Sequence, residues 1–324
     1  MRIPFFCSYI PVDILEAMGH EVIDISLFNG KTYGDDYNCS LHDNICSYAN
    51  YLLRKILEGD KAFDWIIVPN ACDAMKKLHI SLSYSGKIPS FLIDLPRRMA
   101  PESAMFLAHQ YKSLLDIIAP NLQEMDILAR LHHKKPARMP AADMGFKGTW
   151  DLFSTVIGIA GATYTPSLYR AALDEYNSQA LFLRHCGYGV VHGQKREQPK
   201  SLKLTEQLFF MAMDSLGHTL CPRSDRGAMA DYIVAETNAN GLSVLILTSL
   251  KFCNFYAFEF ERIRRRLPPD FPILNIENDF SAENDGRNKT RIEAFMEQIH
   301  SRTGAGRTWS GQSSDRGKPG GKAS

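Results

Sequence analysis

The stretch DWIIVPNACDAMKKLHISL, residues 64 to 82, decides the fold. Asp64 to Val68 is a short β-branched and aromatic run that suits a strand covered on both faces, and Pro69-Asn70 breaks it. Cys72 then falls on the loop leaving the strand's carboxyl end, beyond the run where a buried structural thiol would sit. In open α/β sheets that edge is where ligands bind.

Outward from this stretch, HEVIDISLF (20 to 28), DWIIVP (64 to 69) and PSFLIDLP (89 to 96) read as strands, and residues 45 to 58 and 102 to 118 as helices. Ile45, Ala49, Leu52, Leu53, Ile56 and Leu57 line one helical stripe, which places Cys46 at that helix's amino end. Residues 121 to 186 read as mainly helical, with a Pro/Lys/Arg-rich break at HHKKPARMP and a longer helix from about Pro166 through Cys186. A second rhythm follows: YGVVHG, helices over 202 to 216 and 225 to 239, LSVLILTS, a helix over 256 to 266, and FPILNIEND. Past residue 302 the Gly, Ser, Arg and Lys composition cannot bury enough apolar surface to fold. The expectation is two Rossmann/flavodoxin-like α/β lobes with parallel sheets, 1–120 and 187–302, a helical connecting segment 121–186, and a disordered tail 303–324.

Charge is balanced, 37 Lys+Arg against 36 Asp+Glu, so no overall field recruits nucleic acid or an anionic membrane. No apolar run has the length of a membrane span, and the amino terminus lacks a signal peptide's apolar core, so a cytoplasmic protein is expected. Seven scattered cysteines (7, 39, 46, 72, 186, 221, 253) with no CxxC argue against a disulfide framework and a zinc ribbon.

The chain repeats itself. DWIIVPNAC…IPSFLIDLP and LSVLILTSLKFC…FPILNIEND share the order strand, loop cysteine, helix, strand, which makes Cys253 the counterpart of Cys72. Two facing lobes would bring both thiols into one cleft. Cys46, Cys72 and Cys253 all lie where thiolates are favoured, and convergent thiolates suit a soft metal centre. Against this stands the commoner role of free cysteine as a small buried hydrophobe.

The words FFCSYIPVDILEAMGHEVIDI, DNICSYANYLLRKILEG, FDWIIVPNACDAMKK, IPSFLIDLPRR, LKFCNFYAFEFERIRRRL and FPILNIENDFSAENDGRNKTRIEAFMEQI occur in the order seen in the 2-hydroxyacyl-CoA dehydratase family, the superfamily of the 2-hydroxyglutaryl-CoA dehydratase D-component and benzoyl-CoA reductase subunits. The resemblance covers most of residues 1 to 300. It implies a 4Fe-4S cluster on Cys46, Cys72 and Cys253 in the cleft, with the fourth iron open to water or the substrate's thioester carbonyl. It also implies a homologous second subunit, or a second copy, as partner, and an ATP-hydrolysing iron-sulfur activator as electron donor. The injected electron turns a 2-hydroxyacyl-CoA thioester into a ketyl radical anion, which expels the hydroxyl, loses its β-proton and returns the electron, giving an enoyl-CoA. Such a cofactor is needed because the β-hydrogen is not acidic and hydroxide leaves poorly, a barrier beyond the roughly 10²–10⁴ of side-chain acid–base catalysis.

Two features depart from the family. Asp13 stands where Glu is common, and the connection between Cys186 and YGVVHG is compressed. Ser8 is a candidate to hydrogen-bond a substrate or cluster-bound oxygen, or else caps the helix starting near Pro11. Glu277, Asp279 and Arg291 read as a salt-bridged helix start, and His132-His133-Lys134-Lys135 as a solvated basic loop. With no Gly-rich phosphate loop, ATP belongs to a partner. Competing readings are a double-cubane or benzoyl-CoA-reductase-like electron-transfer protein, needing about six cysteines and thus Cys7, Cys39, Cys186 or Cys221, and a non-catalytic partner subunit.

Overall fold

The computed structural model describes residues 1–26, 41–42, 44–58, 62–133, 155–162, 168–169, 176, 178–185, 200–218, 220–223 and 227–303. Every strand pairing in it is parallel. Strand β1 (Arg2–Phe5) runs into helix α1 (Val12–Ala17) and returns as β2 (Glu21–Asp24) beside it. After α2 (Ser47–Glu58), β3 (Ile66–Pro69), α3 (Asp73–Ser85) and β4 (Ser90–Ile93) form a second unit of this kind. Arg2 ties the two pairs together: its carbonyl accepts from Asp64 N–H at 2.9 Å and its own N–H donates to the Asp64 carboxylate at 2.6 Å.

Helices α4 (Pro101–Ile118) and α5 (Glu124–His133) follow. The second lobe is a continuous sheet in the order β6-β5-β7-β8, built from β5 (Val156–Gly161), β6 (Gln179–His185), β7 (Val244–Leu250) and β8 (Ile273–Asn278). In chain order this is the 2-1-3-4 arrangement of flavodoxin-like sheets. Its helices are α6 (Leu204–His218), α7 (Ala228–Ala239), α8 (Asn254–Arg264) and α9 (Ala282–Thr303).

Alternation along β7 explains why the lobe needs helices on both sides. Leu245 and Leu247 join the main core, whereas Val244 and Ile246 pack with Ile292, Met296 and Ile299 of α9. A parallel sheet buried on both faces reads as an unbroken apolar run, as VLILTSL does. Between the lobes, α4 packs along α6, and Arg223 donates from Nη1 to Pro96 O at 3.0 Å and from Nη2 to Leu95 O at 2.6 Å.

The expected helical segment 121–186 is corrected here, because it contains β5 and β6, half of the second sheet. TVIGIAGA is too short for an ordinary helix, and two glycines inside it give the close approach that β5 makes to β7. A Cβ on Gly161, at φ +110°, would stand 2.2 Å from Thr248 O. The helix expected through Cys186 ends instead in β6, so the compressed connection does not start from a helix. RIPF is a further strand, hidden by its arginine and proline. The strand at YGVVHG and the tail 304–324 lie outside the described residues, among which no helix is long and apolar enough to cross a membrane.

Candidate metal centre

Three cysteines occupy the same local position. Cys72 is the N-cap of α3, Cys253 is the N-cap of α8, and Cys46 immediately precedes α2. No cap hydrogen bond closes on either of the first two thiols in its neutral form. The N–H groups of Ala74 and Met75 nevertheless favour a thiolate at Cys72, those of Phe255 and Tyr256 do so at Cys253, and that of Tyr48 at Cys46. These are the unpaired donors of a helix's first turn, which together with its dipole hold anionic sulfur.

Contacts across the lobes bring two of the three positions, those of Cys46 and Cys253, together. Ser47, next to Cys46, donates its N–H to Lys251 O at 3.1 Å and its hydroxyl to Asn278 O at 3.0 Å. Phe280, past the end of β8, stacks on Tyr51 of α2 with ring centroids 4.9 Å apart and tilts against Tyr48 at 6.0 Å. The amino end of α2 is thereby fixed against the loop that carries Cys253. Cys46 and Cys253 shift each other's protonation in opposite directions, and Cys72 adds a smaller like-charge influence on Cys46 and feels one from Cys253.

The three sulfurs differ in character. Cys253 is lowered to about 7, chiefly because the Cys46 thiol donates to it, helped by the Tyr256 and Phe255 amides against the opposing effect of burial. Cys46, the donor of that bond, is held well above the ordinary thiol value and keeps its proton. Burial raises Cys72, partly offset by the Met75 N–H.

Two further thiols join the group. Cys7 follows β1 and interacts with Cys221 and Cys72; Cys221, in the loop between α6 and α7, interacts with Cys72 and Cys253. Burial pushes them to about 12 and about 11, while the N–H two residues on, Tyr9 and Arg223 respectively, favours each thiolate. The strand at residues 2 to 5 was the available signal for Cys7, since it gives this cysteine the strand-end position of Cys72. Cys221 stands at no strand end or helix start that the sequence marks, and the Arg223 anchor fixes its loop. Cys39 and Cys186 lie outside the described residues.

The remaining candidates fall elsewhere or take structural roles. Ser8 lies beside Cys7 in the β1–α1 loop; Pro11, not Ser8, is the N-cap of α1, and no side chain caps that helix. Asp279 pairs with Lys251 at 3.5 Å and accepts from Ser281, whose hydroxyl in turn accepts from Asn284 N–H, so of the three residues expected at a salt-bridged helix start Asp279 alone has an ion pair among the described residues, with Lys251. Arg291 donates to Asn275 O, and Glu277 is exposed. His132 and His133 close α5 rather than forming a loop, with His132 Nε2 3.1 Å from Gln207 Oε1; Lys134 and Lys135 lie outside the described residues.

Among the described residues no group of three or more His, Cys, Asp or Glu side chains is placed to hold a metal ion. Thiolates on a cluster bind different irons and stand wider apart than ligands sharing one ion. Thiolates are the soft donors that iron-sulfur clusters take.

No curated protein sequence matches the chain. A solved structure described as "Crystal structure of ZnuA" is 11% identical over 92% of this chain and 98% of its own, at a TM-score of 0.25, which carries no argument. The sequence pattern of the family described as "2-hydroxyglutaryl-CoA dehydratase, D-component" matches residues 7–124 and 201–299. These spans hold every cysteine but Cys186 and make up more than half of the chain, which therefore belongs to the 2-hydroxyglutaryl-CoA dehydratase D-component family.

Proposed function

We propose that this chain is the iron-sulfur subunit of a 2-hydroxyacyl-CoA dehydratase, with a 4Fe-4S cluster held by Cys46, Cys72 and Cys253. The observation that carries the reading is the convergence of three helix-start thiols, two from the first lobe and one from the second. Bound there, the cluster would supply one-electron reduction and Lewis-acid polarisation of the thioester, which side chains alone cannot provide.

The chain's own residues have definable tasks. Cys253, the most acidic of the three, offers the first thiolate; Cys46 and Cys72 release their protons to solvent as metal binds. The helix-start amides partly neutralise the charge gathered on the sulfurs, a recognised lever on cluster potential. Ser8, on the loop leaving β1, is assigned to hydrogen-bond a substrate oxygen. Partners on this reading are a homologous subunit or a second copy, an ATP-hydrolysing iron-sulfur activator and a CoA thioester, all in the cytoplasm.

The gathering of Cys7 and Cys221 with the other three favours a second reading, a double-cubane electron-transfer protein, which needs about one more thiol. Iron and acid-labile sulfide per chain after anaerobic purification separate the two. About four irons that fall sharply in Cys72→Ser support the dehydratase reading, and about eight support the second. No iron in either protein, even after reconstitution, overturns both.

A further inference from the structure

Among the described residues two non-glycine residues have a left-handed backbone, Phe252 at φ +64° and Phe280 at φ +62°, each two residues past a strand end, that of β7 and that of β8. Such a conformation is unfavourable for a residue with a Cβ and persists only where its surroundings fix it. For Phe280 the ring supplies the reason, being 6% exposed and stacked on Tyr51. The Phe252 ring is 47% exposed, so burial does little to offset its backbone. What holds Phe252 is its turn. Cys253 N–H donates to Leu250 O at 3.0 Å and closes a four-residue turn with Phe252 in the third place, where a positive φ favours glycine. Both backbone groups of Lys251, in the second place, are tied to other elements: its N–H donates to Asn278 O of β8 at 3.0 Å, and its carbonyl accepts from Ser47 N–H of α2 at 3.1 Å. The Lys251 ammonium lies 5.6 Å from the Phe252 ring centroid and 3.5 Å from the Asp279 carboxylate, which ties the ring to the end of β8. The strained residue thus stands in the turn between Cys253, its neighbour in sequence, and the contact to Ser47, the neighbour of Cys46.

We propose that Phe252 is a positioning residue of the metal centre: its restricted backbone locks the turn from Leu250 to Cys253 and so fixes the Cys253 thiol relative to the start of α2. The proposal rests on the cluster reading above. Glycine would fit this turn without strain but would leave it many more conformations. An aromatic residue that is neither well buried nor favoured there costs stability and holds a ligand in place, the pre-organisation that a metal site needs.

Wild type, Phe252→Gly and Phe252→Tyr are compared with and without metal. Glycine suits φ +64°, so the urea midpoint of metal-free Phe252→Gly is expected at or above that of wild type, while its amide hydrogen exchange is expected to be faster at Cys253 and Ser47. After anaerobic reconstitution, iron is expected to pass to a chelator about tenfold faster from Phe252→Gly than from wild type. Phe252→Tyr keeps the ring and the Cβ and is expected to match wild type throughout. Iron loss from Phe252→Gly no faster than from wild type overturns the proposal, whatever the exchange shows, and leaves the cluster reading standing. A lower urea midpoint with exchange raised throughout the second lobe means lost stability and not lost position, and overturns it as well. Absence of iron from wild type removes the cluster reading and the proposal together.

Discussion

The two lobes have the same plan and divide the work unequally. Both run strand, crossover, strand, with a cysteine at the N-cap of the helix that follows the third strand, Cys72 in one and Cys253 in the other. The first lobe is built from four-residue strands in two separate pairs; the second is one sheet with strands of six and seven residues. Three thiols of the group, Cys7, Cys46 and Cys72, come from the loosely paired lobe, and the second lobe supplies Cys253 and Cys221. Close packing explains why the second lobe carries no thiol at the end of its first strand. Where β1 is followed by Cys7, β5 ends in Gly161, pressed so tightly on the backbone of Thr248 that no side chain fits.

That contrast can be broken most forcefully at Gly161. Gly161→Ala adds a Cβ 2.2 Å from Thr248 O at φ +110°, and is expected to cost about 3–5 kcal/mol or abolish folding. Cys7→Ala, at the matching edge of the first lobe, is expected to cost about 1 kcal/mol, both read by urea unfolding. Equal losses would show that the first lobe is as tightly determined as the second.

The next test concerns the thiol that joins the lobes. A thiolate is the reactive form, so alkylation of Cys253 in metal-free protein rises as pH increases through about 7. Removing its donor with Cys46→Ala moves the midpoint up toward the ordinary 9.0 and slows the reaction at pH 7 by up to about fiftyfold. An unchanged midpoint, followed by mass spectrometry, would mean that the lobes do not meet through this pair. The smallest effect is expected from Ser47→Ala, which deletes the hydroxyl bond to Asn278 O. About 1 kcal/mol of stability should be lost, because Lys251 N–H still satisfies that carbonyl at 3.0 Å.

What was legible in the sequence is what repeats locally. DWIIVPNAC and LSVLILTSLKFC each carry strand, break and helix start within about a dozen residues, and there the expected β3, α3, β7 and α8 are present. The strands β5 and β6 were illegible because TVIGIAGA and QALFLRH are short apolar runs whose helix or strand identity depends on the neighbour they pair with. β1 was concealed by Arg2 and Pro4, tolerated in so short a strand. At the site, Cys46, Cys72 and Cys253 were marked by helix-start positions. Cys221 had no such mark, since an arginine gripping two carbonyls far away in sequence sets its location.

The central claim is that thiols of both lobes hold one cluster, and iron per chain in Cys253→Ser tests it most directly. The account predicts that this variant, purified anaerobically beside wild type, loses most of the roughly four irons, as Cys72→Ser does. Retention of the full iron content by Cys253→Ser, with Cys72→Ser depleted, would place the centre in the first lobe alone and contradict the claim.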